Sequence, residues 1–216
     1  MKQAFKKIGL ICSVLVFIPL ISSFFMKFNQ MQSQKLNLQT TTTSIKIDKE
    51  IFRPSNWIAR GGCWDFSKNI INAQAIVGSC KLYYSKAIYK DFTLEVKLNK
   101  LAESGGFGLL IRYDEQKDEG YTFGLLPSSG YWFAKIIGGN DHPSLSSAPV
   151  PFMNKGVNTW NTLKVLCQGA KFDLYLNGEF LSTITDSAYS SGRIGLTIGG
   201  DPRQLALFEI VSLTIP

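Results

Sequence analysis

The chain from residue 45 to residue 216 alternates apolar and polar positions in short runs, which is the pattern of half-buried β-strands. Phe92–Leu98, with the sequence FTLEVKL, shows this alternation most clearly. No window in this part of the chain keeps the 3.6-residue period of an amphipathic helix over a helical length. The runs predict strands at Cys63–Phe66, Ala75–Val77, Leu82–Tyr84, Phe92–Leu98, Gly106–Tyr113, Tyr121–Leu126, Tyr131–Ile137, Thr162–Gln168, Phe172–Leu176, Phe180–Thr185, Arg193–Ile198 and Leu205–Ile215.

So many strands without helices between them predict an all-β fold, with two antiparallel sheets packed as a sandwich. One hairpin can be placed in register, because Asn177-Gly178 is a favoured pair for a two-residue type I′ turn. This turn sets Leu176 opposite Glu179, Tyr175 opposite Phe180, and Leu174 opposite Leu181. It directs Phe172, Leu174, Leu176 and Leu181 to the core and leaves the Tyr175 and Phe180 pair on the other face.

The N-terminal part of the chain has a different character. Lys2, Lys6 and Lys7 precede the uncharged run Ile8–Met26, whose 19 residues approach the length of a membrane-spanning helix. Pro19 and Ser22-Ser23 leave open a cleaved signal instead of an uncleaved anchor. We therefore expect residues 1–28 to be an apolar helix for anchoring or export, residues 29–44 a polar stem, and residues 45–216 an extracytoplasmic domain.

The distribution of charge argues against nucleic acid as a partner. The chain has 23 Lys and Arg and 16 Asp and Glu, a formal net charge of +7. Residues 1–60 contain nine of these basic and two of the acidic residues, so residues 61–216 contain 14 of each. No basic field is left on the folded part to attract phosphates.

Three of the four cysteines fall in the expected domain. Cys63 and Cys80 lie on neighbouring short β segments, and export allows a disulfide between them. Three free buried thiols are the alternative. Cys167 shares strand parity with Leu163 and Val165, which predicts a small buried side chain.

A series of short motifs, in this order and spacing, resembles the concanavalin A-like lectin/glucanase jelly roll. The branch of 3-keto-disaccharide hydrolase domains is the most similar, and laminin-G-like domains are more distant. The motifs are Gly62-Cys63-Trp64, Asp91–Val96, Gly105–Asp114, Gly120-Tyr121, Trp160–Val165, Leu174–Gly178, Ser191–Leu196 and Phe208–Val211. The resemblance implies a jelly roll with one concave sheet on which glycans or glycosides bind, but it does not fix one activity.

Five residues are candidates for a carbohydrate site: Glu95, Arg112, Tyr121, Trp132 and Tyr175. Sugar sites combine an apolar ring with a few fixed polar groups. By strand parity Glu95 and Arg112 point away from the core, and the turn register puts Tyr175 there too. A cross-strand ion pair is the alternative for the two charged residues, and core packing is the alternative for each aromatic ring. Trp64 and Trp160 are assigned to the core.

The sequence leaves the catalytic residues unknown, with Glu95 a weak candidate. It lacks the Glu-x-Asp-x-x-Glu run with which related glucanases supply two carboxylates. His142, the one histidine, stands in a polar loop, so a zinc site is not expected. The acidic loop Asp114–Gly120 has Lys117 in its middle, which favours a solvated hairpin loop. We therefore expect no cofactor, with calcium left open as the alternative. The loop between Gly138 and Asn158 contains three prolines and is expected to border the concave groove.

Three functions remain open. The first is a membrane-tethered module that binds glycans, and the second is a hydrolase of 3-keto-disaccharides or glycosides that acts in the same groove. A 3-keto group permits elimination with a single general base, so the missing carboxylate pair does not exclude this chemistry. The third is a protein-interaction module of the laminin-G type.

Overall fold

The computed structural model describes residues 49–76, 78–102, 105–126, 130–200 and 203–216. These residues belong to one compact unit, Thr43–Pro216. The expected apolar helix and polar stem lie outside the described residues and stay predictions. None of the described helices is long and apolar enough to cross a membrane.

The described residues form two antiparallel sheets that face each other across one apolar core. Two 3-10 helices, Lys49–Phe52 and Pro54–Asn56, precede the first strand. The strands are β1 Trp57–Arg60, β2 Cys63–Ser67, β3 Ile70–Gln74, β4 Gly78–Tyr84, β5 Phe92–Lys100, β6 Gly106–Asp114, β7 Glu119–Leu126, β8 Gly130–Ile137, β9 Asn140–Asp141, β10 Ser146–Pro149, β11 Thr159–Gln168, β12 Lys171–Leu176, β13 Glu179–Thr185, β14 Arg193–Gly200 and β15 Leu205–Thr214.

The eight-stranded sheet has the order β1-β4-β14-β6-β7-β8-β10, with β9 paired to β8, and the seven-stranded sheet has the order β13-β12-β11-β5-β15-β3-β2. Strands that are consecutive in sequence often pair, but β14 crosses over to lie between β4 and β6. This two-sheet antiparallel sandwich confirms the predicted fold class.

The predicted strands need correction. Ala75 and Ile76 do not lie in a strand, because the chain passes there from β3 in one sheet to β4 in the other. Strand β10, Ser146–Pro149, is not among the predicted strands and forms by pairing with the edge of β8. Its proline lies at the end of the strand, where a missing N–H costs the sheet least.

The predicted hairpin is correct at its turn and then departs from the simple register. Asn177 and Gly178 have positive φ values of 52° and 87°, and Tyr175 pairs with Phe180 as expected. An irregularity between Leu174 and Tyr175 then sets Leu174 opposite Ser182 instead of Leu181. Leu181 is consequently half-buried rather than a core residue.

The cysteines do not form the predicted disulfide: Cys63, Cys80 and Cys167 are all thiols in the structure. Cys63 lies on β2 with its side chain exposed, whereas Cys80 lies on β4 with its side chain in the core. The two side chains therefore lie in different environments. Cys167 is buried, as predicted.

We expect the exposed Cys63 to react with a thiol reagent in the native protein without prior reduction. Cys167 should react only after unfolding, because burial also raises the pKa of its thiol to about 12. Mass spectrometry of alkylated peptides measures both reactions. Protection of native Cys63 that is relieved by a reductant would contradict the thiol state.

Candidate functional site

The outer face of the eight-stranded sheet carries a cleft of about 490 Å³. This volume lies in the usual range for small-molecule sites, roughly 300–1,000 Å³. Its floor is made by the ends of β4, β6, β7, β8 and β14, and its wall by the segment that runs from β9 into β10. The lining residues are Gly78, Ser79, Gly106, Leu126, Trp132, Gly139, Asn140, Asp141, His142, Ser144, Ser147, Thr197 and Gly199.

Small side chains on the strands make room for a large ring in this cleft. Trp132 on β8 lies directly opposite Gly124 on β7, and its indole extends across β7 towards Gly106 on β6. A Cβ atom on Gly124 would lie 2.2 Å from the ring, and one on Gly106 would lie 2.9 Å from it. Glycine inside a strand often marks such a close approach. Trp132 is 8% exposed, so the cleft receives a narrow strip of the ring.

The polar groups of the cleft surround this ring. The hydroxyls of Ser79 and Thr197 lie 3.4 Å apart on neighbouring strands β4 and β14. His142 is exposed at the rim, where its backbone N–H donates to the carbonyl oxygen of Lys135 at 2.8 Å. The indole N–H of Trp132 has no regular hydrogen-bond partner among the described residues.

Asp141 supplies the one carboxylate among the described residues that line the cleft. The residue as a whole is exposed, yet protein atoms packed around its carboxyl group raise the pKa of that group. Burial is the main cause of this rise, and the Lys81 ammonium and the Trp132 ring N–H oppose it. A ligand in the cleft therefore meets a carboxylate that can accept hydrogen bonds from it.

Lys81 stabilises the turn that leads into the wall of the cleft. Its side chain is 4% exposed, and its Nζ donates to the carbonyl oxygen of Gly139 at 3.1 Å and lies 3.2 Å from Asp118 Oδ1. The backbone N–H of Gly139 donates to the carbonyl oxygen of Asp118 at 2.9 Å. The turn at Gly138 and Gly139, with positive φ at both residues, is thereby fixed immediately before Asn140 and Asp141.

Away from the cleft, this outer face carries buried apolar side chains. Tyr83, Leu110, Tyr113 and Ile136 form a second, smaller apolar cluster there. The Tyr113 hydroxyl donates to Asp118 Oδ1 at 2.7 Å. Burial by itself would raise the pKa of Asp118, but this bond and Lys81 lower it below its ordinary value.

The acidic loop after β6 uses its carboxylates within the protein. Asp114 accepts hydrogen bonds from two backbone N–H groups, and Glu115 lies 2.7 Å from Arg193. Among the described residues no group of three His, Cys, Asp or Glu side chains is arranged to hold a metal ion. Calcium, which the sequence leaves open beside the expectation of no cofactor, stays untested.

Only Trp132 of the five predicted site residues lines the cleft. Arg112 and Tyr121 are buried, with 1% and 0% of their surface exposed. Glu95 on β5 and Tyr175 on β12 lie in the seven-stranded sheet, on the other side of the sandwich from the cleft. The five residues therefore do not form one site.

Arg112 was placed outside the core by strand parity, and an irregularity in the strand overturns this. The register of β6 against β7 shifts between Ile111 and Asp114, and Arg112 has a φ of +49°. Its guanidinium lies inside the sandwich, 5.0 Å from the centre of the Phe172 ring. Its Nε and Nη2 donate to the carbonyl oxygen of Lys90, and its Nη1 donates to that of Tyr189. Arg112 is thus a structural residue.

The other predicted aromatic residues also lie in different parts of the fold. Tyr121 stacks on Phe133 inside the core, and its hydroxyl donates to Asp186 at 2.8 Å. Tyr175 is half-buried on the outer face of its sheet, where the Lys164 ammonium lies 4.4 Å from its ring centre. Trp64 is partly buried and packs on the core, but Trp160 is 36% exposed and is not a core residue.

Sequence reasoning missed Asp141 and the glycine floor as parts of one site. The loop after Gly138, which the sequence predicts to border a groove, supplies the wall of this cleft with residues between Gly139 and Ser147. The signal for the floor was present in the sequence as glycines inside predicted strands, namely Gly106 and Gly124.

A family model for the 3-keto-alpha-glucoside-1,2-lyase-like domain matches residues 49–208, which is 160 of the 216 positions. The chain belongs to this family. The match begins before β1 and ends within β15, so it includes the cleft and both sheets. No curated protein sequence matches the chain.

Solved structures share the fold of this lyase-like domain. A carbohydrate-binding module, CBM66 from Bacillus subtilis, has a TM-score of 0.66 at 22% identity, with 74% of this chain and 96% of that chain covered. The carbohydrate recognition domain of Emp46p has a TM-score of 0.57 at 13% identity, covering 80% and 93%. The exoplasmic/lumenal domain of VIP36, solved with Ca²⁺ and Man3GlcNAc, has a TM-score of 0.54 at 12% identity, covering 74% and 82%.

Proposed function

We propose that this lyase-like domain is an extracytoplasmic, membrane-tethered carbohydrate-binding module, and that its cleft on the eight-stranded sheet holds the sugar. One observation carries the proposal: a tryptophan ring lies on a glycine floor and is surrounded by hydroxyl, amide and carboxylate groups. The C–H face of a sugar packs on an aromatic ring while its hydroxyls bond to polar groups around it. The carbohydrate modules with this fold support the same use of the domain.

The hydrogen-bond donors and acceptors that line the cleft suit a ligand with many hydroxyl groups. Ser79, Thr197, Ser144 and Ser147 supply hydroxyls that both donate and accept, and Asn140 supplies an amide. A ligand hydroxyl also needs both functions. The apolar strip of Trp132 and the side chain of Leu126 give the site an apolar part as well.

The tether is supported by the N-terminal sequence. The uncharged run Ile8–Met26 follows three lysines, and positive charge stays on the cytoplasmic side of a membrane segment.

Protease added to intact cells, with any outer barrier made permeable, should digest the domain. Full protection under these conditions would contradict export.

Glycan binding is tested by incubating the full chain with a glycan array. We expect at least one sugar class to bind, and Tyr175→Ala and Glu95→Gln, on the other sheet, to bind as well as the parent protein. Loss of binding in these two variants would move the site to the seven-stranded sheet. No binding to any glycan would favour a protein partner.

A second function is favoured by the carboxylate in the cleft. The name of the family model describes elimination across C1 and C2 of a 3-keto-α-glucoside. In such a step a base removes the C2 proton, which the C3 ketone acidifies. The electron pair forms the C1=C2 bond, and the glycosidic C1–O bond breaks. The leaving oxygen takes a proton from an acid. Asp141, with its raised pKa, is placed to act as the base, and His142 or water as the acid.

If the domain is a lyase, Asp141→Asn should lower kcat/KM on a 3-keto-disaccharide by roughly 10²–10⁴-fold, the usual contribution of a general base. Activity should also fall as the pH drops through the pKa of Asp141, which lies above that of an ordinary aspartate. Chromatography of the released sugar measures both effects. Turnover that Asp141→Asn leaves unchanged would exclude this role, and binding without turnover would exclude the lyase.

A further inference from the structure

The charge of the cleft restricts which sugars it can take. Of the described residues that line it, Asp141 supplies the one carboxylate. No lysine or arginine is among these lining residues. Sites for carboxylate, sulfate or phosphate groups generally present a cation, most often arginine with two parallel N–H donors.

Lys81, a cation close to the cleft wall, is buried and does not line the cleft. The Lys81 ammonium is directed below the wall, and its side chain is 4% exposed. It is engaged by the carbonyl oxygen of Gly139 and by the Asp118 carboxylate. Lys81 therefore opposes the rise in the pKa of Asp141 by its charge, but it is not among the residues that line the cleft.

We propose that the cleft selects uncharged sugars and rejects acidic ones, and that the Asp141 carboxylate is the residue that discriminates. This inference rests on the proposed function. A neutral sugar can donate two hydroxyls to this carboxylate. A uronate or a sulfated sugar would place a second negative charge beside it, with no lining cation to offset the repulsion.

The test uses the full chain at pH 8 and pairs of oligosaccharides with the same linkage: glucose with glucuronate, mannose with mannuronate, and galactose with galacturonate. We expect at least one neutral member to bind. Its uronate partner should bind with an affinity lower by about tenfold or more. Asp141→Asn should lose affinity for the neutral sugar and bring the neutral-to-uronate ratio close to one.

Glu95→Gln is the matched control, because it removes a negative charge from the other sheet and should leave the ratio unchanged. Uronates that bind as well as their neutral partners, or a ratio that Asp141→Asn leaves unchanged, would overturn the selectivity while glycan binding itself stands. Failure of every sugar to bind would overturn the proposed function and this inference together.

Folding of the key variant can be checked independently. Because burial raises the pKa of Asp141 in the native state, its ionised form opposes folding above the pKa of the unfolded state. Asp141→Asn should therefore be at least as stable as the parent at pH 8. At a pH below both pKa values this gain should vanish. Thermal unfolding at the two pH values separates a lost ligand contact from a misfolded protein.

Discussion

Arg112→Ala is expected to lower the free energy of unfolding by about 3–5 kcal/mol, one of the largest effects of any single change in this domain. The substitution removes a side chain that is 1% exposed and leaves a void beside Phe172. It also leaves the carbonyl oxygens of Lys90 and Tyr189 without the guanidinium donors that now satisfy them. Urea denaturation measures the change.

The control for this prediction is Arg112→Lys, which keeps the charge but cannot reproduce three donors in a fixed plane. It should fall between the parent and the alanine variant in stability. The folded fraction of both variants should keep its affinity for glycan, since Arg112 does not line the cleft. A stable Arg112→Ala protein that had lost glycan binding would show that Arg112 belongs to the binding site after all.

Trp132→Ala is expected to weaken glycan binding by about 2 kcal/mol or more, roughly 30-fold in Kd. The indole supplies the aromatic strip of the cleft, and the sheet beneath it has only glycine at Gly106 and Gly124. Alanine would leave the floor without a ring on which a sugar could pack. Isothermal titration with the best glycan from the array measures the loss.

Trp160→Ala is the matched control for this change. Trp160 is also a tryptophan on a strand, but it is 36% exposed on the seven-stranded sheet, away from the cleft. Its removal should leave Kd unchanged. Trp132→Phe, which keeps a ring, should retain part of the affinity and shows whether a change in the floor alone accounts for the loss. Equal affinities in the parent and in Trp132→Ala would exclude the cleft as the sugar site.

The sequence by itself determined the layers of this protein, because side chains alternate across a strand with a period of two. Phe92, Leu94, Val96 and Leu98 are buried as their alternation predicted, and the Asn177-Gly178 turn forms with the required positive φ. These features depend on neighbours in sequence, so local reasoning could reach them. The same applies to Trp132, whose place on the outer face follows from the parity of β8.

Tertiary structure alone decided which strands lie side by side and where alternation is interrupted. Glu95 and Arg112 were expected on one face, but β5 and β6 belong to different sheets. The irregularity after Ile111 turns Arg112 inward, and nothing in its own strand pattern announces this. The cleft likewise joins Ser79, Gly106, Trp132, Asp141 and Thr197 from strands far apart in sequence. Alternation predicts the face of the sheet on which a side chain lies. The pairing of distant strands determines which side chains become its neighbours on that face.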